Sequence, residues 1–145
     1  MSLVEKVIAY VTHQEQLLVF EQPDFPEAGI QVPGGTLEGD EDRERGVLRE
    51  ALEETGLEAL ELVSFLGTQG YSSGDGQAQL RHYFHLALQA TPRHTWDHWE
   101  QSPSSGGSPI LFRFRWVHAA SMPELAGERD VFLELLCARM ASQRK

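Results

Sequence analysis

Residues 35–57 read GTLEGDEDRERGVLREALEETGL. The acidic run Glu38 to Asp42 suits a helix N-terminus, the stretch from about Asp42 to Thr55 has helical periodicity, and Gly56 stands where a C-terminal cap is expected. Measured from Glu50 on an α-helical wheel, Val47, Ala51, Leu48 and Leu52 fall at about 60°, 100°, 160° and 200°, an apolar stripe suited to packing on a sheet. Glu53 falls at about 300° and Glu54 at about 40°, so three carboxylates crowd an arc of roughly 100° on another face. Like charges at i, i+3 and i+4 weaken a helix by roughly a few tenths of a kcal/mol per pair, and no lysine or arginine four residues on relieves them. A cation seated among the carboxylates would offset that cost, and ligands made only of oxygen suit Mg²⁺ or Mn²⁺. The competing reading is a solvated acidic helix face, the usual meaning of a charge run.

Outward from this helix the chain alternates strand and turn signals. Val4 to Thr12 and Gln16 to Phe20 are rich in strand formers and flank a short polar turn, which predicts a hairpin. Pro23 to Gly29 interrupts the pattern, and Gln31 to Gly35 leads into a loop at Pro33-Gly34-Gly35. Downstream, Leu60 to Leu66 predicts a strand and Gly70 to Gly76 a polar loop. Leu80 to Leu88 alternates, with Leu80, His82, Phe84, Leu86 and Leu88 on one face. Thr91 to Gly107 reads as a long irregular segment ending in a flexible stretch from Ser102. Ile110 to Val117 alternates again, and Glu128 to Met140 predicts a terminal helix burying Val131, Leu135 and Ala138. Strands interleaved with two helices give an α/β class, one mixed sheet with helices packed against it.

Composition narrows the function classes. A chain of 145 residues fits one domain, 1–145, large enough to bury a core without staples. A single cysteine, Cys137, excludes an internal disulfide, and with no signal-peptide pattern or bilayer-length apolar run the expected location is cytoplasmic, with no membrane partner. The formal net charge of −10 argues against a binder of nucleic-acid polymers. It disfavours a phosphate substrate as well, unless a divalent cation stands between the acids and the phosphates.

The spacing Gly35, five residues, Glu41, seven residues, Arg49-Glu50-Ala51-Leu52-Glu53-Glu54-Thr55-Gly56-Leu57 resembles the Nudix box, GX5EX7REUXEEXGU with U a bulky aliphatic. All seven fixed positions match, a coincidence on the order of 10⁻⁸ or rarer at average residue usage. Val32-Pro33-Gly34-Gly35 is similar to the family's usual entry to the box. The departure is Ala51, at a position that usually holds a larger side chain. Gly46 within the helix costs about 1 kcal/mol relative to alanine.

The resemblance implies the Nudix fold, a mixed β-sheet sandwiched between helices (α/β/α), and a MutT-like, Mg²⁺-dependent pyrophosphohydrolase for which Mn²⁺ can substitute. Glu50 and Glu54 are then the main metal ligands, Glu53 a further ligand, and the Gly35 carbonyl a contributor. Arg49 should pair with a carboxylate, Glu41 first, and fix its rotamer. The general base stays open between Glu50, Glu53 and an acid outside the box, for which Asp97 and Glu100 are candidates beside their plain reading as surface acids. The implied partner is a small nucleotide-like molecule, a nucleoside triphosphate or dinucleoside polyphosphate first, and the implied assembly a monomer or homodimer. A non-catalytic nucleotide-sensing module is the alternative, although such modules commonly lose box glutamates and this chain keeps them.

Other residues carry two readings each. Trp96 and Trp99 suit stacking on a base or packing over the core, and Tyr71 stands fourteen residues past Leu57, close to where the dinucleoside polyphosphate branch carries a tyrosine. His94 and His98 have chelating spacing but no evident third ligand. His82, on the apolar face of its strand, reads as a satisfied core histidine.

Overall fold

A computed structural model describes residues 3–72, 74, 76–100, 107–118, 121–122 and 124–142. The strands are β1 (Val4–His13), β2 (Gln16–Glu21), β3 (Gly34–Thr36), β4 (Leu60–Ser72), β5 (Ala78–Leu88), β6 (Thr95–Glu100) and β7 (Ile110–His118); the helices are α1 (Arg43–Thr55) and α2 (Leu133–Ser142). They form one sheet in the order β4-β5-β1-β2-β7-β6, with β3 paired to β1. The β1–β5 pair is parallel and the other pairs are antiparallel.

The alternation of strand side chains sorts the core onto two faces. Val7, Ala9 and Val11 of β1 join Phe84 and Leu86 of β5 under Val47 and Ala51 of α1. Ile8 and Tyr10 join Tyr83 under Leu133, Leu136 and Met140 of α2. The mixed sheet between helices is therefore as expected, and the central strands β1 and β5 are buried on both faces, so their outward positions are as dry as their inward ones. His82 is a satisfied core histidine: its Nε2 is hydrogen-bonded with Glu5 Oε1 at 2.8 Å and its Nδ1 with Thr68 Oγ1 at 2.9 Å.

The hairpin forms as read, with Thr12 opposite Leu17. Helix α1 begins after Asp42, whose carboxylate accepts from the Arg45 amide at 3.2 Å, and stops at Gly56, which takes the left-handed conformation (φ 76°) that favours glycine. Its stripe is rotated from the expected one. Val47 and Ala51 are fully buried but Leu52 is 45% exposed, because the helix also turns Glu54 and Thr55 inward. The small Ala51 belongs to this close approach.

Four expectations are corrected. Strand β4 continues to Ser72, so the expected loop at Gly70 begins late. Thr91 to Gly107 is not irregular throughout, because Thr95–Glu100 pairs with β7 as an edge strand; residues 102–106 lie outside the described ones. The terminal helix starts at Leu133 and not at Glu128, because a 3₁₀ turn at Ala126–Glu128 and left-handed φ values at Gly127 and Glu128 precede it. The helix therefore buries Leu133, Leu136 and Met140, while Val131 is 49% exposed and Ala138 lies on the surface. No helix among the described residues is long and apolar enough to cross a membrane.

The α2 stripe is open to a direct check. Leu136→Ala should cost about 2–5 kcal/mol in urea denaturation, as a buried leucine does, and Val131→Ala less than about 0.5 kcal/mol. The reverse ranking would return the helix to the sequence-based stripe.

Candidate active site

Helix α1 meets the sheet where β3 leaves it. The Gly34 amide donates to Glu54 Oε1 at 3.0 Å, which draws that carboxyl group inside until the residue is only 8% exposed. Glu50, one turn earlier, lies so close to Gly35 that a Cβ there would come within 2.1 Å of Glu50 Oε2. Gly35 is therefore required by the approach of the Glu50 carboxylate, and Gly34 by the packing of β3 on β1, where a Cβ would come within 2.7 Å of the Val7 carbonyl oxygen. Gly46 makes room on the helix for the Leu37 side chain, since a Cβ there would meet Leu37 Cδ2 at 2.3 Å.

Arg49 binds carboxylates on either side of it. Its Nε–H and Nη2–H donate to the two oxygens of Glu41 at 2.6 and 2.7 Å, a bidentate fork. Its Nη1–H donates to Glu50 Oε1 at 2.9 Å and to Glu53 Oε2 at 3.0 Å. The pairing expected between Arg49 and Glu41 is present, and the hydrogen bonds from Arg49 hold the Glu41 carboxyl down at about 2. Glu53 is a different matter. Arg49 holds it at a half-exposed position outside the cleft lining, so the expected convergence of three box acids is reduced to Glu50 and Glu54 in this arrangement.

A third acid arrives from β6. The inward side chains of that strand cap the last turn of α1: Trp96 Nε1–H donates to the Thr55 carbonyl at 3.0 Å, and His98 Nε2–H to the Glu53 carbonyl at 2.8 Å. Two residues further on, the next inward position is Glu100, which lines the cleft with Glu50 and Glu54. Burial pushes the Glu54 carboxyl well above its ordinary value against the Gly34 hydrogen bond, and the Glu100 carboxyl, as a neighbouring charge and hydrogen-bond partner, pushes it further. Burial also raises Glu50, against its bond to Arg49, with Glu53 and Glu100 adding to the rise. Among the described residues no three histidine, cysteine, aspartate or glutamate side chains are already gathered as a metal cage.

These acids line one part of a cleft of about 390 Å³. Elsewhere it is walled by Ile8, Phe20, Val32, Ile110 and Phe112, with the Phe20 and Phe112 rings stacked at 4.2 Å. The amides of Gln22 and Gln31, the cations of Lys6 and Arg129 and the acid Glu38 also line it. The aromatic residues singled out in the sequence lie elsewhere. Trp96 stacks on Phe114 within the core, Trp99 is 48% exposed, and Tyr71 lies beneath the Arg81 guanidinium at 3.6 Å. Asp97 forms an exposed ion pair with Arg113 at 2.9 Å, and His94 and His98 do not join in a metal group. The phenylalanine wall was missed because Phe20 and Phe112 read as ordinary core positions. Of the two candidate acids outside the box, Glu100 reaches the cleft and Asp97 does not, because the alternation of β6 puts Glu100 on the face of Trp96 and His98.

A family model for the NUDIX domain matches residues 3–136. The chain belongs to the Nudix family. Solved structures of similar fold include a UDP-X diphosphatase (TM-score 0.70, 15% identity, 100% of this chain and 66% of that longer one). The ORF135 protein of E. coli is similar over 99% of this chain and 95% of its own (TM-score 0.68, 21% identity). A MutT NUDIX hydrolase from Burkholderia pseudomallei is similar over 92% and 98% (TM-score 0.64, 20% identity). No curated protein sequence matches this Nudix chain.

The buried Glu54 gives this Nudix site a pH signature. Its folded value is raised, so the stability tied to its neutral form is full below the ordinary 4.5 and is lost as pH climbs through the folded value. In metal-free buffer Glu54→Gln should melt higher than wild type at pH 8, with the advantage shrinking toward pH 4. An advantage independent of pH would mean that Glu54 is not carried as a desolvated carboxyl.

Proposed function

We propose that this Nudix chain hydrolyses a diphosphate linkage in a nucleotide-like substrate, with Mg²⁺ held by Glu50, Glu54 and the Gly35 carbonyl, and Mn²⁺ able to replace it. The observation that carries the reading is Glu54, a buried carboxyl group beside two further acids in a cleft. The donor set is all oxygen, which suits a hard cation, and a divalent charge there would offset the burial and mutual repulsion that raise Glu50 and Glu54. When bound, such an ion would neutralise phosphate charge and acidify a water molecule.

The chain's own residues do the rest. Arg49 fixes the Glu50 rotamer while Glu41 fixes Arg49, so the ligand geometry is set before substrate arrives. Glu53 then serves as a partner of Arg49, and Glu100 becomes the acid placed to accept the proton of the attacking water. Phe20 and Phe112 offer an aromatic wall for a base, and Gln22 and Gln31 offer amides for its polar edges. Nucleoside triphosphates and dinucleoside polyphosphates are the preferred substrates.

A panel of triphosphates, dinucleoside polyphosphates and nucleotide sugars with Mg²⁺ tests the reading by phosphate or nucleotide release. Glu54→Gln should abolish turnover while remaining folded, and Glu100→Gln should lower kcat by about 10²–10⁴-fold. Mg²⁺ should raise the melting temperature of wild type and not of Glu54→Gln. Binding across the panel without release would replace hydrolysis with sensing. A fully active Glu54→Gln would remove the assigned metal site.

A further inference from the structure

Lys6 and Arg129 line the same cleft as the acids, and neither enters an ion pair with a described acid. The register of β1 sets Lys6 beside Thr36 of β3 and Arg81 of β5, on the sheet face that also carries Ile8 and Tyr10. Arg81 is already committed: it donates to Gln79 Oε1 at 3.0 Å and to the Gly127 carbonyl at 2.5 Å, and it covers the Tyr71 ring. Arg129 donates from Nη1 to the Ala126 carbonyl at 3.3 Å, leaving the rest of its fork of N–H donors unassigned among the described residues.

The segment that delivers Arg129 is held in place from several sides. Gly127 and Glu128 both adopt left-handed φ values, of 66° and 60°, a conformation unusual for the glutamate. Tyr10 Oη–H donates to the Arg129 carbonyl at 2.5 Å, and the Ala126 amide donates to the Ile30 carbonyl at 2.8 Å. A Cβ on Gly127 would come within 2.5 Å of Arg129 Nη1, so the glycine makes room for the guanidinium. Burial first lowers the pKa of both Lys6 and Arg129; the charges of Arg129 and Arg81 lower Lys6 further, and the charge of Arg81 lowers Arg129 further. Glu50 and Glu54 act on Lys6 only from beyond contact, as Glu54 does on Arg129. Two cations of the cleft lining are thus without an ion-pair partner among the described acids, and a phosphate anion is a group of the matching charge.

We propose that Lys6 and Arg129 form a metal-independent phosphate subsite, which grips a phosphate of the substrate chain other than those held at the acids. The inference rests on the hydrolase reading given above and deepens it. A cleft with separate acidic and cationic phosphate stations prefers three or more linked phosphates over a diphosphate joined to a sugar.

Inorganic tripolyphosphate, titrated calorimetrically into the metal-free full chain, tests this without turnover. Wild type should bind it, more weakly as salt rises. Lys6→Gln and Arg129→Gln should each weaken binding by about tenfold or more, whereas Lys6→Arg should retain it. Melting curves establish that each variant is folded, and Lys6→Gln carries the test if the half-buried Arg129 cannot be replaced. In turnover, Lys6→Gln should raise KM for a triphosphate far more than it lowers kcat. Absence of tripolyphosphate binding by wild type, or equal binding by folded Lys6→Gln, overturns the subsite even if nucleotides are hydrolysed. Charge-dependent tripolyphosphate binding with no hydrolysis across the nucleotide panel would uphold the subsite and overturn the hydrolase reading alone.

Discussion

The hydrogen bond from the Gly34 amide to Glu54 Oε1 joins the short strand β3 to helix α1 and carries a carboxyl group into the protein interior. An ionised carboxylate taken out of water is costly unless it is paired or solvated by fixed dipoles. One backbone amide offsets part of that cost, and the proximity of Glu100 and Glu50 adds to what remains. The fold thus holds at one point a local electrostatic tension that a cation would relieve. The surrounding construction accompanies that placement: a glycine at 35 that leaves room for the Glu50 carboxylate, the close helix approach that a small Ala51 permits, and an α1 whose final carbonyls are capped by β6.

The second constraint is the order of charges. Arg49 binds Glu41 by a bidentate fork and reaches Glu50 and Glu53 with its remaining nitrogen, so one guanidinium orients three box carboxylates. That leaves Glu50 and Glu54 directed to the cleft, where Glu100 and Glu38 join them. Lys6 and Arg129 supply the opposite sign within the same space. The cleft is thus not a uniformly acidic wall, and a net charge of −10 does not by itself exclude a phosphate substrate.

Features written within a few residues were legible in the sequence. The hairpin, the extent of α1, its glycine cap and the Arg49–Glu41 pairing each depend on spacing along one segment, and the box spacing identified the family before any geometry was known. Features set by contacts between distant segments were not legible. Glu53 carries the same charge as Glu54, and its turn toward Arg49 depends on which way the helix faces the sheet. Strand β6 was missed because its inward positions, Trp96, His98 and Glu100, put polar groups where an amphipathic strand would carry aliphatics. Those polar groups are the ones that reach α1 and the cleft, so the local pattern failed where the site is built. The α2 stripe shifted for a plainer reason: left-handed residues at 127 and 128 delay the helix, and Val131 falls in the turn before it.

Paramagnetic broadening of backbone amide resonances by substoichiometric Mn²⁺ locates the cation directly. The signals of Gly34, Gly35, Glu50, Glu54 and Glu100 should be lost selectively, with the exposed acidic positions Glu44, Glu58 and Glu134 spared until Mn²⁺ is in excess. Broadening that begins at those exposed acids, or that spreads evenly over the acidic surface, would contradict a metal site built around the buried Glu54.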